Sequence, residues 1–118
     1  MNIERFRELC LSKAGATEET PFGPDTLVFK VGGKIFALAS LSPFDSVNLK
    51  CDPEKAAELR EAHEGIRPGY HMNKKHWNTV LTDGSVRDAL IGQLVEHSYG
   101  LVVAALPRKL RHALHPTV

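Results

Sequence analysis

The sequence is poor in the features that mark specialised classes of protein. It contains only 2 cysteines, 7% aromatic residues and a net charge of +1, from 15 Lys and Arg against 14 Asp and Glu. Two cysteines exclude a disulfide-rich scaffold, and no apolar run approaches the ~18 residues that a membrane span needs. The start of the chain lacks the apolar stretch of a secretory signal. We therefore expect a cytoplasmic protein with no membrane partner, whose composition alone does not mark it as a polyanion binder.

The residues that are present suit one domain over 1–118. Hydrophobic residues make up 42% of the 118 residues and charged residues 25%, as in an ordinary globular protein. A chain of this length buries roughly two-thirds of the surface that it exposes when unfolded, so a core forms without a metal or a disulfide. Cys10 and Cys51 fall on apolar faces of predicted elements, and we expect both to be buried free thiols.

Helix signals predict three helices, over about 2–14, 52–63 and 85–106, after which Pro107 either breaks the third helix or starts a short basic tail helix over 108–114. Asn2 and Asp52 are residue types that cap helix N-termini, and Pro53 suits the first helical position. Ser85 with Asp88 three residues later has the spacing of a capping box, which would open the third helix.

Strand signals begin with residues 26–39, which alternate with period two around Gly32-Gly33 and predict a hairpin with a two-residue turn. Such a turn pairs Phe29 with Phe36 and Leu27 with Leu38. The expected core face is Leu27, Phe29, Val31, Phe36 and Leu38, and the expected open face includes Val28, Lys30, Ile35 and Ala37. A third strand over 46–51 would turn Lys50 toward the same open face.

About two further strands, one over 77–82, fall between the second and third helices. The order is therefore α-β-β-β-α-β-β-α, with the short tail helix following if Pro107 starts one. We expect an α+β fold with two layers, in which an antiparallel sheet of about five strands carries the helices on one face.

The small net charge hides an uneven distribution. Residues 1–62 hold 8 basic and 10 acidic residues, whereas residues 63–118 hold 7 basic and 4 acidic residues, so the two halves carry −2 and +3. All six histidines also lie in the second half, whose positive charge would grow as the pH falls toward about 6.5.

The densest basic segment is residues 67–78, and it is the main candidate for a nucleic-acid-binding site. Cationic side chains that can meet phosphates are Arg67, Lys74, Lys75 and His76; Asn73 and Asn78 offer amides for bases or sugars, and Tyr70 and Trp77 offer faces for stacking. Lys30 and Lys50 are further candidates, and the tail residues Arg108, Lys109 and Arg111 form a separate basic patch. The alternative is an ordinary solvated loop with Trp77 in the core.

Catalytic and metal-binding patterns are not found. The histidine pairs 71/76 and 112/115 have no cysteine or acid at ligand spacing, and the sequence has no nucleophile elbow or phosphate-binding glycine loop. Adjacent Glu18 and Glu19 would point apart on an extended segment. We expect no enzymatic activity, no metal and no cofactor.

Four segments resemble the MmcQ/YjbR family of small bacterial proteins over nearly the whole chain. They are EETPFG (18–23), FKVGGKIFA (29–37), VNLKCDPE (47–54) and, most specifically, RPGYHMNKKHWNTV (67–80). The resemblance implies a fold similar to CyaY-like and secretion-chaperone-like α+β domains. It also implies DNA binding through a "double wing" of strand-and-loop elements.

Two functions follow as expectations. The first is weak, largely non-specific DNA binding through the basic strand and loop residues, in which each phosphate contact makes the affinity more sensitive to salt. The second is a protein-interaction or chaperone-like module whose open sheet face, around Val28, Ile35 and Ala37, meets a protein partner or a second copy of the chain. Binding that survives high salt would favour the second.

Overall fold

A computed structural model of the chain describes residues 1–69 and 72–115, which form four helices and six strands. In chain order these are α1 (Ile3–Leu11), β1 (Thr17–Glu19), β2 (Thr26–Val31), β3 (Lys34–Ser40), β4 (Ser46–Lys50), α2 (Pro53–Ala62), β5 (Ile66–Pro68), β6 (Trp77–Leu81), α3 (Asp88–Ala104) and α4 (Arg108–Leu114). The predicted α+β class is confirmed. The strand count is one higher than expected because β1 adds a short strand with no alternating apolar pattern.

The strands form one sheet in the order β1-β2-β3-β4-β6-β5, and every neighbouring pair is antiparallel. Strand β6 lies beside β4 because α2 carries the chain to the outer strand β5 before it returns. At the other edge, β1 is held by its backbone pairing with β2 and also by an ion pair between Glu18 and the Arg7 guanidinium of α1. Both edges of the sheet are thus short strands, which limits their pairing with other chains.

The β2–β3 hairpin departs from the predicted register. Its turn places Val31 opposite Lys34, as expected, but the register shifts just after Phe29, which lies opposite Ala37 rather than Phe36. Phe36 is the extra residue of a β-bulge, in which two residues of one strand oppose one residue of the other. A bulge of this kind depends on what packs against the strand, so the turn alone does not specify it.

The bulge reverses the facing of the residues that follow it in β3. Ala37 and Ala39, expected on the open face, belong to the core, whereas Leu38, expected in the core, is half-buried on the opposite face. Val28 also lies opposite Leu38 on that second face, but it is fully buried. The open face therefore carries Leu38 in place of Ala37 and Ala39, and its Val28 is covered.

The hydrophobic core lies between the sheet and the helices. Phe6 of α1 meets Phe29 edge to face at a centroid distance of 5.7 Å, and Phe36 meets Tyr99 of α3 in the same way at 5.4 Å. Residues at helical spacing on α3 and beside its two ends are buried against the sheet: Val86, Ile91, Leu94, Val95, Ser98, Tyr99, Val102 and Leu106, whereas Leu90 is half-buried. Aromatic edge-to-face contacts add to the stabilisation that burial of these rings provides.

Two of the three predicted helix caps are present. Asn2 and Asp52 each accept a hydrogen bond from the backbone N–H three residues on, at 2.8 and 3.3 Å. The capping box at Ser85 is not formed, since α3 begins at Asp88. The Ser85 hydroxyl and N–H instead donate to the carboxylate of Asp83, at 2.6 and 3.0 Å, and so complete a local turn.

Both cysteines are buried free thiols, as predicted. Burial raises the pKa of the Cys10 thiol and also that of Cys51. Among the residues described, no helix has the length and apolar composition needed to cross a lipid bilayer.

Candidate nucleic-acid interface

The antiparallel topology sorts the charged residues between the two ends of the sheet. At one end lie the β2–β3 turn, the junction of β4 with α2, and the loop between β5 and β6. We call it the basic end; its lysines are Lys30, Lys34, Lys50, Lys74 and Lys75. The loops at the opposite end hold Asp25, Asp45, Glu64 and Asp83. The basic end also contains two acidic residues, Asp52 and Glu54, at the start of α2.

A cleft of about 520 Å³ opens at the basic end, and we call it the lysine cleft. It is lined by Lys30, Gly33, Lys34, Ile35, Lys50, Trp77, Val102 and Ala105. The lysines come from three adjacent strands. Trp77 lies opposite Lys50 across the β4–β6 ladder, so their side chains share one sheet face. Aliphatic atoms of Ile35 and α3 complete the wall.

The cleft exists because β3 and β4 separate at this end. Backbone pairing between β3 and β4 extends only from Ala39 to Ala37. Beyond Ala37, the Ser98 side chain of α3 hydrogen-bonds to the backbones of both strands. The Ser98 hydroxyl accepts from the Lys50 N–H at 2.9 Å and donates to the Phe36 carbonyl at 2.5 Å. Both backbone groups are thereby satisfied, as groups away from solvent must be, and the strands stay apart.

The lysines of the cleft differ in whether they are already paired with a carboxylate. Lys30 is paired with the Glu19 carboxylate on the neighbouring strand. Within the described part of the chain, neither Lys34 nor Lys50 forms an ion pair. These two ammonium groups therefore have their full charge available to a ligand.

The basic loop before β6 presents Lys74 and Lys75 to solvent, and its backbone is held by local hydrogen bonds. Asn73 is used internally: its side-chain oxygen accepts from the Lys75 N–H at 2.9 Å, and its carbonyl accepts from the His76 N–H at 3.1 Å. The His76 carbonyl accepts from the Cys51 N–H at 2.7 Å, which ties the loop to the end of β4. The two lysines are therefore displayed on an ordered turn beside the lysine cleft.

Arg60 of α2 is the residue that anchors this loop, and sequence reasoning missed it. Its Nε donates to the Asn78 side-chain oxygen at 2.6 Å, and its Nη2 donates to the carbonyls of Lys74 and Trp77, the latter at 3.2 Å. A basic residue in the last turn of a helix is ordinary, so no sequence signal distinguishes Arg60. Lys34 was also missed, although its place directly after the hairpin turn puts it at the sheet end.

Arg67 is separated from the other predicted site residues. It lies on edge strand β5, and its Nε approaches the Glu64 carbonyl at 3.4 Å. Hydrogen bonds from Ser85 lower the pKa of Asp83, and the charge of Arg67 lowers it further. Arg67 therefore faces the acidic end. Tyr70 and His71, the first of which was a stacking candidate, lie outside the described residues.

Trp77 is only 8% exposed, yet it is not part of the main core between sheet and helices. It lies on the opposite sheet face, where Gly69 approaches it so closely that a Cβ on that glycine would lie 2.9 Å from the Trp77 Cβ. Because so little of its surface is exposed, Trp77 offers the lysine cleft part of a wall rather than a free stacking platform.

The basic tail begins next to the β2–β3 turn. A Cβ on Gly32 would lie 2.7 Å from Leu106 Cδ1, so the end of α3 packs directly on that turn. The basic side chains that follow, Arg108, Lys109 and Arg111, are exposed on α4. In residues 1–69 and 72–115, no three His, Cys, Asp or Glu side chains are grouped as metal ligands would be.

The open sheet face carries a smaller groove of about 260 Å³. Met72 lies over it, and its floor includes Asn48 and Thr79, which are joined by a 2.7 Å hydrogen bond between their side chains. The chain after β5 therefore covers part of the face that was expected to be free for a protein partner.

Comparison with known proteins gives consistent matches. A sequence model of the YjbR family matches residues 11–101. The uncharacterised protein YbdF of Escherichia coli O157:H7 is 43% identical over 97 residues, which cover 81% of this chain and 80% of that protein. The uncharacterised protein YjbR of Escherichia coli K12 is 36% identical over 115 residues, covering 97% and 98% of the two chains.

Solved structures agree with the fold. The crystal structure of Deinococcus radiodurans protein DR2400, described as a DUF419 domain, superposes with a TM-score of 0.91 at 40% identity, covering 96% of this chain and 87% of that one. A crystal structure of a Pseudomonas syringae protein superposes with a TM-score of 0.75 at 32% identity, covering 86% of this chain and 99% of that one. These matches support the architecture and carry no description of activity.

Proposed function

The chain belongs to the YjbR family, and we propose that it is a weak, largely sequence-independent DNA-binding protein that contacts phosphates through the basic end of its sheet. The observation that carries the proposal is the gathering of Lys30, Lys34, Lys50, Lys74 and Lys75 at that end, although the net charge of the chain is only +1. Lysine ammonium groups pair with phosphate oxygens as point charges and read no sequence.

Two strand-and-loop projections supply four of these lysines, as a double-wing arrangement requires, and Lys50 comes from the end of β4. One is the β2–β3 hairpin, with Lys34 directly after its turn, and the other is the loop that presents Lys74 and Lys75. Both lie at the basic end, so a backbone running across that end would meet both. The asparagines give little base readout, because Asn73 and Asn78 are engaged within the protein.

The strength of binding follows from counterion release. Each neutralised phosphate contributes about 0.9 to the slope of log affinity against log salt concentration, so a few lysines give modest and strongly salt-dependent affinity. The acidic residues of the opposite end oppose binding in other orientations. The role we propose is cytoplasmic and non-enzymatic, with no cofactor.

The test is a titration of fluorescently labelled short duplex DNA at several salt concentrations, read by anisotropy. We expect the Lys74→Ala, Lys75→Ala double variant to reduce the slope by about 2 units, because two phosphate contacts are lost. Arg67→Ala is the matched control, since Arg67 lies toward the acidic end and its removal should leave the slope unchanged.

Two results would count against this function. Absence of binding to any DNA at low salt would refute it outright. Equal effects of Arg67→Ala and of the double variant would show that net charge matters and the basic end does not. A protein partner captured by the purified chain and retained at high salt would favour the alternative role as an interaction module.

A further inference from the structure

We propose that the lysine cleft binds one unpaired nucleotide, so that the protein prefers single-stranded DNA or a frayed end to an intact duplex. This inference rests on the proposed function and names the part of the nucleic acid that the cleft would take. The observations that carry it are the separation of β3 from β4, the mixed lining of the cleft, and its volume of about 520 Å³.

The lining matches a nucleotide in chemistry as well as in size. Half-buried Ile35 and exposed Ala105 present apolar surface against which a base can pack, beside the small exposed part of Trp77. Lys34 and Lys50 form no ion pair within the described residues, so their ammonium groups can neutralise a phosphate at the rim. A purely apolar ligand would leave these charges unused, and a bare phosphate would leave the apolar wall uncovered.

A paired base cannot reach this surface. In a duplex both faces of each base are covered by its neighbours, and a nucleotide that enters a pocket must leave the stack at a cost of a few kcal/mol. A single strand already has accessible bases and avoids that cost. The cleft therefore favours single strands, whereas the exposed Lys74 and Lys75 serve single strands and duplexes alike.

The cleft is ordered before any ligand arrives. The Ser98 hydroxyl holds its two strands apart through hydrogen bonds to both backbones, and Gly69 lies close against Trp77. A preformed site loses little conformational entropy on binding, so even a few contacts can give a measurable preference.

Trp77 makes the proposal directly measurable, because it is the single tryptophan of the chain. The experiment titrates the full chain at low salt with a short oligothymidylate, with a blunt duplex of the same length, and with thymidine 5′-monophosphate, while tryptophan fluorescence is recorded. We expect the single strand to quench Trp77, which lines the cleft, and to bind about tenfold more tightly than the duplex, because the single strand avoids the cost of taking a base out of the stack. The monophosphate arm shows whether the nucleotide alone suffices or a continuous strand is needed.

Ala105→Leu is the diagnostic variant, because it adds bulk to the wall of the cleft at an exposed helix end and removes no charge. It should abolish the preference for single strands and the quenching while duplex affinity stays unchanged. Lys75→Ala is the matched control, which should weaken both ligands equally. Thermal unfolding by circular dichroism confirms that each variant is folded.

The outcomes distinguish the nucleotide site from duplex binding by the basic end. Equal affinity for single strand and duplex, together with no effect of Ala105→Leu, would overturn the nucleotide site and leave duplex binding by the basic end intact. No binding of any of the three ligands would refute both. Quenching by the single strand that Ala105→Leu does not change would place the base elsewhere and also overturn the site.

Discussion

Replacing Ser98 with alanine tests whether a single helix hydroxyl holds the sheet open at its basic end. Ser98 is fully buried and joins the Lys50 N–H to the Phe36 carbonyl. The substitution keeps the helix, since alanine is a better helix former than serine, but it leaves both backbone groups without a partner. A buried donor or acceptor without a partner costs about 1 to 3 kcal/mol.

The two groups differ in their surroundings, and this sets the expected magnitude. The Lys50 N–H borders the lysine cleft, where solvent can partly replace the hydroxyl, whereas the Phe36 carbonyl is buried. We therefore expect that leaving the Lys50 N–H without its partner costs less than leaving the Phe36 carbonyl without one. The total loss in the free energy of unfolding should be about 2 to 4 kcal/mol. This is a large share of the roughly 5 to 15 kcal/mol by which a domain is stable.

Urea unfolding measured by circular dichroism provides the assay. With an m value of about 1.5 kcal/mol/M, the midpoint should fall by about 2 M for Ser98→Ala. Ser46→Ala is the matched control, because the Ser46 hydroxyl contacts only the neighbouring Asp45 carboxylate, at 3.3 Å on the surface. A loss for Ser98→Ala of less than about 0.5 kcal/mol, as is usual for surface substitutions, would refute the bridging role of this hydroxyl.

Two further perturbations test other parts of the fold. The His97 Nε2 accepts a hydrogen bond from the Asp52 N–H at 3.2 Å, and burial lowers the pKa of this histidine. The unfolded chain therefore binds the proton more readily than the folded chain does. The free energy of unfolding should consequently fall as the pH drops below 6.5. His97→Gln should remove that part of the pH dependence in urea titrations, and an unchanged profile would contradict the assignment. Gly32→Ala should destabilise more than Gly33→Ala, because both glycines have positive φ but only a Cβ at position 32 would meet Leu106, at 2.7 Å. Equal midpoints for these two variants would show that α3 does not pack on the turn.

Local signals in the sequence were sufficient for several elements. The cap at Asn2, the Asp52-Pro53 helix start and the Gly32-Gly33 turn all appear where the pattern predicts them. Each of these features depends on interactions between residues that are close together in the chain, so the local sequence contains nearly all of the interactions that stabilise it. The family resemblance was also confirmed, since the YjbR family model matches residues 11–101.

Errors arose where a distant residue decides a local structure. The register of β3 depends on a bulge at Phe36, and the carbonyl of that residue is bound by Ser98, which lies 62 positions further along the chain. The alternation of polar and apolar residues assumes an unbroken pleat, so it assigned Ala37 and Leu38 to the wrong faces. The start of α3 failed for another reason, since Asp83 competes with the helix for the hydrogen bonds of Ser85.

The α+β class, the approximate helix positions and the turn of the central hairpin could be predicted from the sequence, because they follow from periodicity, turn chemistry and residue type. Which charged residues lie together depends on strand pairing and could be seen only in the folded chain. Antiparallel pairing brings Lys30, Lys34 and Lys50 to the same sheet end as the loop before Trp77, and it sends Arg67 toward the other. Charges that are far apart in the chain become neighbours only when strands pair, which is why a chain with a net charge of +1 has a distinctly basic end.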